Sequence, residues 1–358
     1  MSRLMRLDAT RTGSQAQDLA SKLHSLVVGQ DDAIHQIVTA YQTYLAGLTP
    51  VGRPIANFLF LGPTGSGKTR IVEATADALL GNPRAVIKID CAEFQHSHEI
   101  AKLIGSPPGY LGHCETHAAL SQQALNQHHT DKVKLSFVLF DEIEKASDAL
   151  WNLLLGILDK GTLTLGDNSK VDFSATMIFM TSNLGAAEMS ALVNPKLGFR
   201  APAPVDNAAS PELSGRISRV GVEAARRKFT PEFINRLDKI VVFKALGKEE
   251  LDRIVDIELS LVRQRIDSAP RNKRFNINLT DSARGFLLAE GTDFRYGARP
   301  LKRAIERLLV QPLSNLMATG QIRSHDQIRV THRGESPSLI FFRETEAWET
   351  WETDRVAA

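Results

Sequence analysis

The chain has 358 residues, 43% hydrophobic and 23% charged, a balance that excludes wholesale disorder and makes two domains the first expectation. Lys plus Arg number 43 and Asp plus Glu 41, so the formal charge is +2 and gives no global electrostatic case for a nucleic-acid or membrane-surface partner. Two cysteines exclude a disulfide framework, and no apolar stretch approaches a membrane span or a secretory h-region, so a cytoplasmic protein is expected.

In chain order, residues 1–13 are polar. Leu19, Leu23 and Leu26 form one helical stripe, and Ile34, Ile37, Val38, Tyr41 and Leu45 form another, with a turn at Val27-Val28-Gly29-Gln30 between them. From Phe58 the pattern changes. Short apolar runs at Phe58–Leu61, Val86–Ile89, Leu135–Phe140, Met177–Met180 and Ile240–Phe243 alternate with helical stretches at Lys68–Leu80 and at Leu150–Leu158. Such runs are strands buried on both faces, so a parallel sheet covered by helices is expected: an α/β fold. Residues 200–216, rich in Ala, Pro and Ser, read as a surface loop. Beyond about 245 the periodicity is mainly helical (Leu251–Leu261, Ser282–Leu288, Leu301–Leu309), with strands at Phe275–Leu279, Gln327–Val330 and Leu339–Phe342. That predicts a small α+β domain.

Between the first strand and its helix lies Gly62-Pro63-Thr64-Gly65-Ser66-Gly67-Lys68-Thr69, which matches G-x-x-x-x-G-K-[ST]. In such a loop glycines let backbone N–H groups curl around phosphates, and the helix N-terminus adds partial positive charge. Lys68 would reach the β- and γ-phosphates of a nucleotide, and Thr69 would coordinate Mg²⁺; the loop alone fits kinases, GTPases and transporters. The run Leu135–Phe140 ends in Asp141-Glu142. Asp141 at a strand end would hold the Mg²⁺ shell, and Glu142 would polarise a water for attack on the γ-phosphate.

Asp141-Glu142-Ile143-Glu144-Lys145-Ala146, followed by Leu158-Asp159-Lys160-Gly161-Thr162-Leu163-Thr164, resembles the Clp family of AAA+ unfoldases and disaggregases, and most of all the second ATPase ring of its two-ring members. Val171-Asp172-Phe173, Thr181-Ser182-Asn183-Leu184-Gly185, Phe229–Asp238 and Tyr296–Arg303 resemble further family motifs in the family's order, over about residues 25–345. The resemblance implies an AAA+ P-loop NTPase domain over 26–245 with a C-terminal lid over 246–345, an N-terminal extension over 1–25 and a tail over 346–358. It implies an ATPase that threads polypeptide through a hexameric pore. Alternatives kept open are an AAA+ motor remodelling nucleic-acid complexes and an ATP-switched assembly scaffold.

Roles follow by position. Asn183 would orient the attacking water or sense the γ-phosphate. Arg236 would be an arginine finger acting on a neighbouring subunit, and Arg299 would contact the phosphates from the lid. Val27, Val28 and Ile254 would wall the adenine pocket. Gly105-Ser106-Pro107-Pro108-Gly109-Tyr110-Leu111-Gly112 resembles the substrate-gripping pore loop, with Tyr110 as the grip. Leu197-Gly198-Phe199 resembles the loop with which some members dock on a Clp-type peptidase. After Gly112 the chain departs from the family pattern with His113-Cys114-Glu115-Thr116-His117, and Ser121–Lys134 is longer than usual. His113, Cys114 and His117 lack the further ligands of a metal site and read as a solvated polar segment. With one phosphate loop and no recognisable adaptor or zinc-finger module, a single ring is expected.

Overall fold

The structure, a computed structural model, describes residues 8, 10–105, 118–193, 211–270, 274–293, 296–334 and 336–344. Tyr110, the segment with His113, Cys114 and His117, and Leu197-Gly198-Phe199 lie outside the described residues. The chain divides into two units, one ending at Leu246 and one beginning at Gly247.

In order, the first unit carries α1 (Ser14–Leu26), α2 (Asp31–Leu45), β1 (Ala56–Leu61), α3 (Lys68–Leu80), β2 (Ile87–Asp90), α4 (Ala101–Ile104), α5 (Gln122–Asn126), β3 (Ser136–Asp141), α6 (Asp148–Lys160), β4 (Thr162–Thr164), β5 (Lys170–Asp172), β6 (Thr176–Ser182), α7 (Ala186–Val193), α8 (Pro211–Lys228), α9 (Pro231–Asn235) and β7 (Lys239–Val242). Among the described residues the main sheet has the order β2-β3-β6-β1-β7, with every neighbouring pair parallel. β4 and β5 form a separate antiparallel hairpin.

Every residue of β1 is buried, which is why it reads as one apolar run rather than an alternation. Alternate side chains serve opposite faces. On one face Phe58, Phe60, Phe137, Phe179 and Phe243 pack with Leu19 and Leu23 of α1, Ile34 and Ile37 of α2 and Ile71 of α3. The rings of Phe58 and Phe179 stack with centroids 5.3 Å apart, and Phe60 tilts against Phe243 at 5.0 Å. On the other face Leu59, Leu61, Val138, Phe140 and Ile178 meet Leu150, Leu154 and Ile157 of α6, Ala225 of α8, and Phe229 and Phe233. These layers hold the C-terminal ends of β3, β6 and β1 side by side. In open parallel sheets that edge is where ligands bind.

The surface loop expected over 200–216 is corrected in its last part, because residues 211–216 are the first turns of α8. The helix buries Ile217, Ala225 and the following Phe229, and its Gly221 lies against Val242, where an added Cβ would stand 3.1 Å from Cγ2. Two glycines and a sparse apolar stripe hide the 3.6-residue period. Ser210-Pro211-Glu212 is the helix-start signal that could have exposed it.

The second unit carries α10 (Lys248–Asp267), β8 (Asn276–Leu279), α11 (Asp281–Gly291), α12 (Arg299–Ile305), α13 (Gln311–Ala318), β9 (Gln327–Thr331) and β10 (Ile340–Glu344). Its sheet has the order β10-β9-β8, antiparallel then parallel. The stretch read as one helix over Leu301–Leu309 continues from α12 into a π-turn, Glu306–Val310, and the Gln311 N–H donates to the Glu306 carbonyl. Pro312, just beyond, has no N–H to give, and a widened turn is a common way to carry such a break.

Gly291 ends α11 against α12. A Cβ there would stand 2.7 Å from Leu301 Cα and 3.2 Å from its Cβ, so backbone would have to move. Gly291→Ala is therefore expected to destabilise the second unit by about 1–3 kcal/mol, the usual cost of overpacking. Thermal unfolding of the variant checks it.

Candidate functional site

The site begins in the phosphate-loop motif between β1 and α3. Gly62, Gly65 and Gly67 have φ of 146°, 76° and 100°, values open to glycine and strained for other residues. At Gly62 space also decides, since a Cβ would meet the Phe243 carbonyl oxygen at 2.7 Å. Gly67 caps α3 and leaves the first N–H groups of a 13-residue helix without intrahelical partners. Pro63, Ser66 and Lys68 are buried, and Thr64 and Thr69 are half-buried. The Ser66 hydroxyl is buried with no protein partner among the described residues.

Lys68 turns back over the loop. Its Nζ donates to the Gly62 carbonyl at 2.8 Å, the Pro63 carbonyl at 2.9 Å and Asn183 Oδ1 at 3.0 Å. Thr64 Oγ1 donates to the same Asn183 oxygen at 3.5 Å. The other end of that amide, Asn183 Nδ2, donates to Glu142 Oε1 at 3.3 Å. Asn183 thus joins the phosphate loop to the acidic pair through one side chain. This follows from strand order: β6 lies between β1 and β3, so the residue just past its end faces both neighbours.

The acidic pair is itself fixed from β6. Thr181 Oγ1 donates to Asp141 Oδ1 and accepts the Glu142 N–H at 3.1 Å. Glu142 has φ 56° and ψ 48°, the left-handed region, which swings its carboxylate out of the strand direction. Glu142 Oε2 accepts from Lys145 Nζ, and that bond holds the Lys145 ammonium above the usual lysine range. Cys91, fully buried beside this end of the sheet, has its thiol pushed up first by desolvation and then by Asp141 and its acidic neighbours. It stays a neutral packing group.

A cross-tie that sequence reading left without a role comes from Gln30. Its amide is 4% exposed and donates from Nε2 to the Ser66 carbonyl at 3.0 Å and the Lys244 carbonyl at 3.1 Å. Its Oε1 accepts the Lys244 N–H at 3.1 Å. One side chain therefore pins the segment carrying Val27 and Val28 to the phosphate loop and to the end of β7. Both valines are 5% exposed; Val27 joins the α1–α3 core, whereas Val28 is not part of either main hydrophobic cluster.

Arg236 follows α9, and its Nη1 pairs with Asp159 Oδ1 of α6; the side chains are 36% and 37% exposed. Asp238, two residues further on, accepts the Asn57 N–H at 2.8 Å. In the second unit, Arg299 opens α12 and is exposed, and Ile254 is a half-buried residue of α10.

A family model described as "AAA domain (Cdc48 subfamily)" matches residues 53–240, and one described as "C-terminal, D2-small domain, of ClpB protein" matches residues 246–330. The chain belongs to the Clp family of AAA+ ATPases. Among relatives in the Clp family, chaperone protein ClpB 1 of Parasynechococcus marenigrum (strain WH8102) is 37% identical over 312 residues, 87% of this chain and 33% of its own. The negative regulator of genetic competence ClpC/MecB of Bacillus subtilis (strain 168) is 38% identical over 309 residues, 86% of this chain and 35% of its own. The chain spans about a third of the length of the curated relatives it matches. Among solved structures, the closed state of Hsp104 with ATPγS and FITC casein gives a TM-score of 0.72 at 31% identity, covering 92% of this chain and 52% of that one. The S. cerevisiae Hsp104:casein complex in its extended conformation gives 0.73 at 30% identity, covering 90% and 51%.

Thr181, Glu144, Lys145 and Gln30 are the contributors to the geometry that motif reading did not assign. Thr181, Glu144 and Lys145 stand inside motifs quoted above without a role of their own, and Gln30 is a polar residue in a short turn before a helix.

Proposed function

We propose that this chain is an ATP-hydrolysing motor that unfolds or remodels polypeptide, working in the cytoplasm as a hexamer. The observation that carries the reading is the chain of contacts from Lys68 through Asn183 to Glu142. It puts Lys68, Asn183 and Glu142 in one row along the C-terminal sheet edge, which supports reading them as phosphate-binding cation, polar sensor and general base. ATP would lie with its phosphates in the Gly62–Thr69 cradle and its adenine against Val27 and Val28. Casein in the Hsp104 structures supports a polypeptide substrate.

Thr69 and Asp141 fit Mg²⁺. A hydroxyl and a carboxylate are hard oxygen donors, and Mg²⁺ keeps waters and phosphate oxygens as its other ligands. A protein cage is not needed, in keeping with the absence of a metal-holding group of three His, Cys, Asp or Glu among the described residues. When bound, the ion would neutralise charge on the β- and γ-phosphate oxygens. The chain's own groups do the rest: Lys68 binds phosphate, Asn183 orients water, and Glu142 accepts its proton. Arg236 would reach a neighbouring subunit's nucleotide, and Leu197-Gly198-Phe199 would dock a Clp-type peptidase.

The test is ATP turnover together with unfolding of a tagged globular protein, with and without the peptidase. Tyr110→Ala is expected to keep basal turnover and to lose unfolding by roughly tenfold or more, the scale of a lost aromatic anchor. Turnover stimulated by DNA and indifferent to polypeptide would overturn the reading.

A further inference from the structure

We propose that Glu144 is a positioning residue for hydrolysis, acting through the main-chain N–H of Asn183. The proposal rests on the ATPase reading above. β3 and β6 are parallel neighbours whose last ladder partners are Phe140 and Met180. Beyond that rung the two chains part. β3 turns at Glu142 into a single 3-10 turn, Ile143–Lys145, while β6 runs on to Ser182 and Asn183. No further ladder bond sets the distance between Glu142 and Asn183, although their side chains must meet.

Besides the Asn183 amide itself, two side chains cross the gap, one from β6 and one from the turn after β3. Thr181 reaches from β6 to Asp141 and to the Glu142 N–H. Glu144 reaches the other way, and its Oε1 accepts the Asn183 N–H at 3.0 Å. The turn that carries Glu144 is firmly based. Ile143 is fully buried, its carbonyl accepts the Trp151 indole N–H at 3.1 Å, and the Ser147 N–H donates to the Phe94 carbonyl at 2.9 Å.

Glu144 Oε2 is buried without a protein partner among the described residues. Holding a carboxylate oxygen there is costly, and among the described residues no ion pair accounts for it. What the placement secures is the bond to Asn183. That bond fixes the backbone from which the Asn183 amide spans Lys68 and Glu142. Without it the amide would lose its register with the carboxylate, and water orientation would suffer while nucleotide binding would not.

Four measurements test the assignment. Glu144→Ala should lower kcat about tenfold while KM and the affinity for a non-hydrolysable ATP analogue stay within about twofold, the split expected of lost positioning. Glu144→Gln, which keeps an acceptor oxygen, should retain most of kcat. Glu144→Ala combined with Asn183→Ala should be no slower than Asn183→Ala alone, because the two act as one unit. In nucleotide-free protein, hydrogen exchange at the Asn183 amide should quicken in Glu144→Ala and stay slow in Glu144→Gln. Unchanged kcat in Glu144→Ala, or losses that multiply with Asn183→Ala, would overturn the proposal. If the wild-type chain did not hydrolyse ATP, the ATPase reading would fall by itself; the exchange measurement would still decide the contact, and unchanged Asn183 protection in Glu144→Ala would overturn it.

Discussion

Glu142→Gln is expected to bind ATP as the wild type does and to turn it over about 10²–10⁴-fold more slowly, the contribution of a positioned general base. The amide keeps the size and shape of the side chain, and it can still take a hydrogen bond from Asn183 Nδ2 on its oxygen. It cannot take a proton from water. It also ends the ion pair with Lys145, which is exposed and adds little to stability. Binding groups in the phosphate loop, Lys68 and Thr69 among them, are untouched. Measured together, analogue affinity and single-turnover hydrolysis separate the two effects. Hydrolysis at the wild-type rate would remove Glu142 from the role of base.

Arg236→Ala is expected to abolish turnover by about 10³-fold or more, the scale of an arginine finger. As an ion pair alone, Arg236 with Asp159 would contribute only roughly 0–1 kcal/mol, since both side chains are more than a third exposed. The two readings therefore differ by orders of magnitude in rate and hardly at all in thermal stability. Complementation fixes the direction in which the arginine acts. Arg236→Ala subunits keep their own phosphate loop, and Lys68→Ala subunits keep their arginine. If Arg236 works on the next subunit, mixing the two inactive variants should restore part of the turnover. Mixed rings that stay inactive would place its action within its own subunit.

The strands of the first unit were legible because burial on both faces leaves no polar alternation, as in Phe58–Leu61 and Leu135–Phe140. The phosphate loop and acidic pair were legible because their spacing is set by local chemistry: a turn that only glycine can make, then a helix start. Less visible were contacts between segments far apart in the chain. Gln30 meets Lys244 across 214 residues, and Arg236 meets Asp159 across 77, so no local pattern could pair them. Glu144 reads as an ordinary solvent-facing acid in an acidic motif. Its bond to Asn183 exists only because β3 and β6 are neighbours, a fact of topology. α8 escaped because between Ile217 and Phe229 its buried face is made by small residues, Gly221 and Ala225, whose role is close approach rather than bulk.

Of the described non-glycine residues with positive φ, Asn168 and His325 are of types that tolerate the left-handed region, and Glu142 is not. A glutamate held there carries local strain of about 1–3 kcal/mol. Glycine would occupy the same backbone without strain, and asparagine nearly so. Mutational drift unconstrained by chemistry would thus run toward those residues, with the fold gaining from each step. A long acidic side chain at this one position is what the proposed role of Glu142 in turnover requires, at a cost to stability. The same backbone angle gives a quick test for related chains: glycine or asparagine at this site would mark a subunit that has kept its phosphate loop but ceased to hydrolyse what it binds.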